Sequence, residues 1–258
     1  MRSPRRPGSL RLVAVTVVAA VAVLSGCSGE DAAERRPGAA VTAEEADVLA
    51  EVLVADFREG GADVEVSAPF AEGAVLTLTG EVDFSRTIGR AQAVTRYQDG
   101  QPEETRTLFF DGTDLWQGDV PGLPEAVAAA GLPPAGYARR PIATTDAAGT
   151  ASLLDVLVQM VTRLSARSAD DPRSFEAYTW QGSRSVNGEL ASVFRSGTGA
   201  EIAVAAESGL LVQYVTTLQD FEVTITLADH GRREISLPAD GETVDLTAHP
   251  EVAEAVGL

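Results

Sequence analysis

Leu76-Thr77-Leu78-Thr79-Gly80-Glu81-Val82-Asp83-Phe84-Ser85 alternates side chains without a break. Leu76, Leu78, Gly80, Val82 and Phe84 fall on one face, and Thr77, Thr79, Glu81, Asp83 and Ser85 on the other. A period of two is the period of a strand, and one apolar face is the mark of an antiparallel sheet with a single side in the core. Downstream the pattern repeats over 89–98 and over Thr105–Phe110, punctuated by Asp99-Gly100 and by Asp111-Gly112-Thr113-Asp114, which turns the chain into Leu115-Trp116. Upstream, Val64–Ala68 is a short leading strand.

Thr42-Ala43-Glu44-Glu45 reads as a capping box, with Thr as N-cap and Glu at the third helical position. Ala46, Leu49, Ala50, Leu53 and Phe57 follow at helical spacing, and Gly60-Gly61 ends the run, which predicts a helix over 43–59. From Asp119 to Gly149 Pro and Gly accumulate; a short helix is expected over Pro124–Ala130 and loop elsewhere. Ala151–Ala166 is apolar nearly all round, with Asp155, Gln159 and Thr162 as a narrow polar stripe, so it reads as a helix buried on most sides. Strands return over Phe175–Val186, Leu190–Ser196, Glu201–Ala206, Leu210–Leu218 and Phe221–Ala228, with Asn187-Gly188 marking a hairpin. Asp229-His230-Gly231 turns into a last strand over Arg233–Leu237. The fold class that follows is α+β: one large curved antiparallel meander with about three helices on its concave face.

The chain has 258 residues, with 20 basic and 38 acidic side chains and a formal charge of −18. Every base is Arg. So acidic a chain is repelled by nucleic acid, and no nucleic-acid partner is expected. The single Cys, Cys27, excludes an internal disulfide and a Cys-rich zinc site. Arg2, Arg5, Arg6 and Arg11 precede an apolar run from Leu12 to Leu24, too short to span a bilayer, which needs about 20 residues. Leu24-Ser25-Gly26-Cys27 then resembles the bacterial lipobox, in which the Cys receives a diacylglyceryl group and becomes the first mature residue. The expected organisation is a signal peptide over 1–26, a flexible tether over 27–41 from acylated Cys27, and one domain over 42–258. Removing 1–26 leaves 232 residues and a charge of −22, because the segment holds four Arg and no acid. The expected location is the extracytoplasmic face of the cell membrane, held by two acyl chains.

This order of lipobox, tether, amphipathic helix, meander, Pro/Gly loop, apolar helix and second meander resembles the LppX/LprAFG family of actinobacterial lipoproteins, similar in shape to the LolA/LolB carriers. Leu76–Phe84, Phe110-Asp111-Gly112 with Trp116, the 151–166 helix and Ile235-Ser236-Leu237-Pro238 carry the resemblance. It implies a half-barrel sheet around helices and an apolar cavity for acyl chains. From periodicity, the residues offered to such a cavity are Leu76, Leu78, Val82, Phe84, Val223, Ile225 and Leu227 of the sheet, and Leu153, Leu157, Met160 and Val161 of the helix. The plainer reading of the pattern is that these residues fill each other's space.

No Gly-x-Ser-x-Gly occurs, Gly197-Thr198-Gly199 lacks a third glycine, and Asp111-x-x-Asp114 is too short for a calcium loop. His230 and His249 both read as solvated turn residues. Arg139-Arg140 is the one Arg pair near the long loop that can meet an anionic headgroup. No enzyme, cofactor or metal is expected. The function that follows is an anchored lipoprotein that binds or carries an apolar ligand, lipid above all. Its rival is an interaction or envelope-sensing module of the same fold with a filled core and a protein partner.

Overall fold

The computed structural model describes residues 35–144 and 151–258; the signal segment and Cys27 lie outside them. Helix α1 (Ala43–Glu59) starts where the capping box sets it. Glu45 N–H donates to Thr42 Oγ1 at 3.2 Å, and Thr42 N–H donates to Glu45 Oε2 at 2.8 Å. Such a cap is worth about 1 kcal/mol. Gly60 closes the helix at φ 101°, a left-handed conformation that favours glycine.

The first meander runs β2 (Gly61–Ala71), β3 (Ala74–Asp83), β4 (Ile88–Tyr97), β5 (Glu104–Phe110), β6 (Asp114–Gly118) and β7 (Tyr137–Pro141). Helix α2 (Leu123–Ala129) lies in the β6–β7 connection. Helix α3 (Leu153–Thr162) precedes the second meander, made of β8 (Thr179–Val186), β9 (Glu189–Arg195), β10 (Glu201–Ala205), β11 (Leu211–Leu218) and β12 (Phe221–Ala228). The two-residue β1 (Ala39–Ala40) lies on β8, while β13 (Thr243–Asp245) and helix α4 (Pro250–Val256) close the chain. Among the described residues the order in the sheet is β1-β8-β9-β10-β11-β12-β2-β3-β4-β5-β6-β7-β13, so β12 joins the front of the first meander and the sheet stays open.

The alternation in β3 becomes burial: Leu76, Leu78, Val82 and the following Phe84 are all in the core. Cross-strand partners share a face, so the register extends that face outward. Leu78 faces Ala93, and Ala91 faces Leu108. Phe110 faces Leu115, and Leu115 faces Arg140. Helices α1 and α3 cover this face, and their buried residues form one cluster with it. Ala138 of β7 and Val244 of β13 continue the same face to the edge. There α2 and α4 cover it in a second cluster with Leu123, Val127 and Val252. Four helices, not three, therefore share one side of the sheet. Gly89 is required by this packing: a Cβ there would overlap the Phe110 ring.

The architecture departs from the sequence-based expectation in several places. The sheet is mixed, because β13 pairs with β7 in parallel. Residues 137–141, expected as loop, are β7. The apolar helix ends at Thr162, because the chain beyond it turns to bind α1, with Ala166 N–H donating to Leu53 O and Asp170 N–H to Ala50 O. Pro172–Phe175 forms a 3-10 turn, so the strand expected from Phe175 begins at Thr179. Arg233–Leu237 is not a strand, since β2 occupies the free edge of β12 and leaves nothing to pair with. The end of the expected tether is part of the sheet: Ala39 pairs with Trp180, and Gly38 N–H donates to Trp180 O at 2.7 Å.

Candidate functional site

The space between α1, the end of α3 and the second meander is not filled. It is a cavity of about 540 Å³. Helix α1 contributes Leu49, Val52 and Leu53 at its i, i+3, i+4 spacing. Met160 and Leu164 come from the end of α3 and just beyond, Phe175 from the 3-10 turn, and Ile202 and Leu211 from β10 and β11. Leu49, Val52, Leu164, Phe175 and Leu211 are buried and make the floor. Arg163, Asp170 and Ser174 are exposed and make the rim, with Tyr178 and Tyr214 half-buried between the two. The segment 163–178 forms this wall because its backbone is tied to α1 at Ala50 and Leu53.

Of the eleven residues that periodicity offered to a cavity, only Met160 lines this one. Leu76, Leu78, Val82, Phe84, Leu157, Val161, Val223, Ile225 and Leu227 are buried in the main cluster and fill each other's space, with Leu153 packed against it. The other lining residues include Leu49, Val52 and Leu53 of α1, whose apolar stripe reads as ordinary core, and Phe175, which reads as the start of a strand. The floor and polar rim suit an amphipathic molecule; no nucleophile paired with a base faces the space.

Arg139 and Arg140, which the sequence offers either as a solvated loop turn or as a pair able to meet a headgroup, are engaged inside the fold. Arg140 Nη1 donates to Asp155 Oδ1 at 2.8 Å, and Asp155 is 2% exposed. Ser152, the N-cap of α3, donates its hydroxyl to Asp155 Oδ2 at 2.9 Å, so the pair anchors the start of α3 to β7. Arg139 is held by Asp245 of β13 at 2.6 Å. Neither Arg of the pair is free for a headgroup.

His230 is not a solvated turn residue. Asp229 adopts φ 48°, and the turn sends the imidazole under α1, where its side chain is 6% exposed. Its Nε2 is 3.7 Å from Oδ1 of Asp56, which is fully buried on α1. Leu211 N–H donates to Asp56 Oδ1 at 3.1 Å, whereas Asp56 Oδ2 and His230 Nε2 have no hydrogen-bond partner among the described residues. Burial pushes the Asp56 carboxyl up to about 8 against the pull of the Leu211 N–H, and Glu59 adds to the rise. Burial also lowers the imidazole pKa, so at neutral pH both groups are uncharged. The pair is closed to solvent, which removes it from any reaction with a substrate. It touches the cavity only through Leu211, which belongs to both.

A second depression, about 390 Å³ between β7 and β13, is lined by Pro133, Pro134, Arg139, Asp245 and His249. Arg139 is paired there with Asp245, and His249 Nδ1 lies 3.3 Å from Glu251. No group of three or more metal-ligating side chains occurs among the described residues, and no described helix is long and apolar enough to cross a membrane.

No family model and no curated protein matches the chain. Solved structures are similar to it. One is LprF from Mycobacterium bovis, 11% identical, with a TM-score of 0.45, covering 78% of this chain and 98% of that one. Another is an uncharacterized conserved protein from Thermus thermophilus, 9% identical, with a TM-score of 0.39, covering 78% of this chain and 99% of that one.

Proposed function

We infer that the chain is an anchored extracytoplasmic lipoprotein, and that its folded unit binds an apolar ligand in the cavity between α1, the 163–178 segment and β10–β11. One observation carries this reading: about 540 Å³ of unfilled space with a buried aliphatic floor and a polar rim. Ligand sites begin at about 300 Å³ and combine apolar walls with a few placed polar groups. The acylated Cys27 is the proposed anchor. The argument for it is the sequence alone: a basic start, a 13-residue apolar run and Leu24-Ser25-Gly26-Cys27.

Native mass spectrometry of protein purified from its host tests the ligand. The expected result is a population carrying one acyl lipid, absent in Ile202→Trp, where the indole fills the space. Protein that is lipid-free in both forms, and that retains a specific protein partner, would favour an interaction module instead. For the anchor, Cys27→Ala is expected to move the protein from the membrane fraction to the soluble one.

A further inference from the structure

The cavity has a size and a set of free hydrogen-bond donors that narrow its occupant beyond an apolar molecule. We propose that it takes a single acyl chain of about 16–18 carbons, with the carbonyl end of that chain held by the hydroxyls of Tyr178 and Tyr214. This rests on the reading of the cavity as a ligand site.

The volume sets the chain count. At the packing density of a protein interior a methylene occupies roughly 25 Å³. A cavity of about 540 Å³ therefore holds one long chain and the first atoms of its head. Two such chains need about twice the space, and the floor cannot widen: Leu49, Val52, Leu164 and Leu211 are buried parts of the main core or its wall.

The polar groups set the end of the ligand. Tyr178 and Tyr214 line the cavity between floor and rim, and neither hydroxyl has a hydrogen-bond partner within the described residues. Phe175 meets Tyr178 edge to face at 5.1 Å, which fixes the ring against the wall. Burial, then Tyr214 and Asp170, raise the Tyr178 phenol pKa, so the hydroxyl keeps its proton and acts as a donor. Two such donors on residues that line the space suit an acceptor oxygen, which a carboxylic acid or an ester carbonyl provides. The rim adds no net charge selection. Arg163 and Asp170 oppose each other there, and the Arg163 guanidinium reaches only Gln159 Oε1, at 3.4 Å. A free fatty acid and a single-chain ester such as a monoacylglycerol share the required chemistry.

The test uses full-length protein stripped of bound lipid on a hydrophobic resin, with displacement of a fluorescent 16-carbon fatty acid as the readout. Palmitate and monopalmitoylglycerol are expected to displace it at one molecule per chain, and dipalmitoylphosphatidylcholine at least tenfold less well. The Tyr178→Phe/Tyr214→Phe double variant is expected to weaken monopalmitoylglycerol about tenfold and to leave hexadecane, which has no oxygen, unchanged. Stronger displacement by palmitate than by the glyceride identifies a free acid as the source of the carbonyl, and the reverse identifies an ester; either supports the proposal. Equal binding of the two-chain lipid overturns the single-chain assignment and leaves the cavity reading standing. An equal loss for hexadecane and glyceride overturns the tyrosine assignment. Binding of none of these compounds overturns the cavity reading and the proposal together.

Discussion

The two meanders carry the same alternation and end in different states. On the first, Leu78, Val82, Phe84, Leu108 and Phe110 meet α3 and one another with almost no exposure. On the second, Ile202 and Tyr214 face across to α1 and the 163–178 segment, with a cavity between. Strand periodicity selects which side chains point inward in both halves. Whether they meet is decided by what the covering segments bring. Over the first half the inward set includes two phenylalanines. Over the second, the wall is a segment hydrogen-bonded to α1 that holds Arg163, Asp170 and Ser174 at the rim and sets Leu164 and Phe175 on the floor, with the space between left unfilled.

That contrast can be broken most directly by truncation. Phe110→Ala in the filled half is expected to cost about 3–5 kcal/mol in chemical denaturation, as large core deletions do. Leu53→Ala on the cavity wall should cost less than about 1.5 kcal/mol, because part of its surface already lacks a neighbour. Equal losses would mean that the second half is packed as tightly as the first. Next in size is Arg140→Ala, which strands the buried Asp155 carboxylate beside the filled half and is expected to cost about 3 kcal/mol. Asp155→Asn in that background should recover part of the loss, measured the same way.

A pH-dependent effect sits at the border of the two halves, where Asp56 meets His230. The carboxyl is raised from 3.8 to about 8 in the folded chain. A raised acid binds its proton more tightly when folded than unfolded. Its contribution is therefore complete below pH 4 and is lost as pH rises toward 8, with a slope of at most about 1.4 kcal/mol per pH unit. Glu59, Glu189 and Arg233 also act on this pair, so the informative quantity is the difference between wild type and Asp56→Asn. Wild type is expected to lose stability relative to Asp56→Asn between pH 5 and 8; parallel curves would show that the carboxyl titrates normally. The least effect is expected from Ile202→Val, which enlarges the cavity by one methylene and should shift thermal stability by under about 1 kcal/mol.

The elements legible in the sequence are those whose signals are local. Thr42 and Glu45 place α1, and the alternation through Phe84 places β3, because both depend on neighbours a few residues away. No such signal marks β7 or β13. Tyr137–Pro141 becomes a strand only because β6 lies on one side and β13, from the far end of the chain, on the other. His230 reads as a turn residue, and its burial comes from Asp56 on a distant helix. The cavity is the sharpest case. A hydrophobic pattern records which side chains leave water, and it is the same for a side chain that meets another as for one that faces space. Periodicity picks out Met160 among the lining residues but not Leu49, Phe175 or Tyr214, since nothing near them in sequence marks a void.

The pairing of β12 with β2 has a consequence for how the chain acquires its shape. Ala228 lies opposite Asp63, so this ladder joins opposite ends of the folded unit. Closing so long a loop costs entropy before any contact repays it, and pairings this distant slow folding. The first meander can form as its residues emerge, but its leading edge, β2, stays open until nearly all the chain is present. Nor can the ligand cavity precede that moment, because α1 and β11 are two of its walls and come from opposite ends of the folded unit. The binding site is thus among the last features to be assembled.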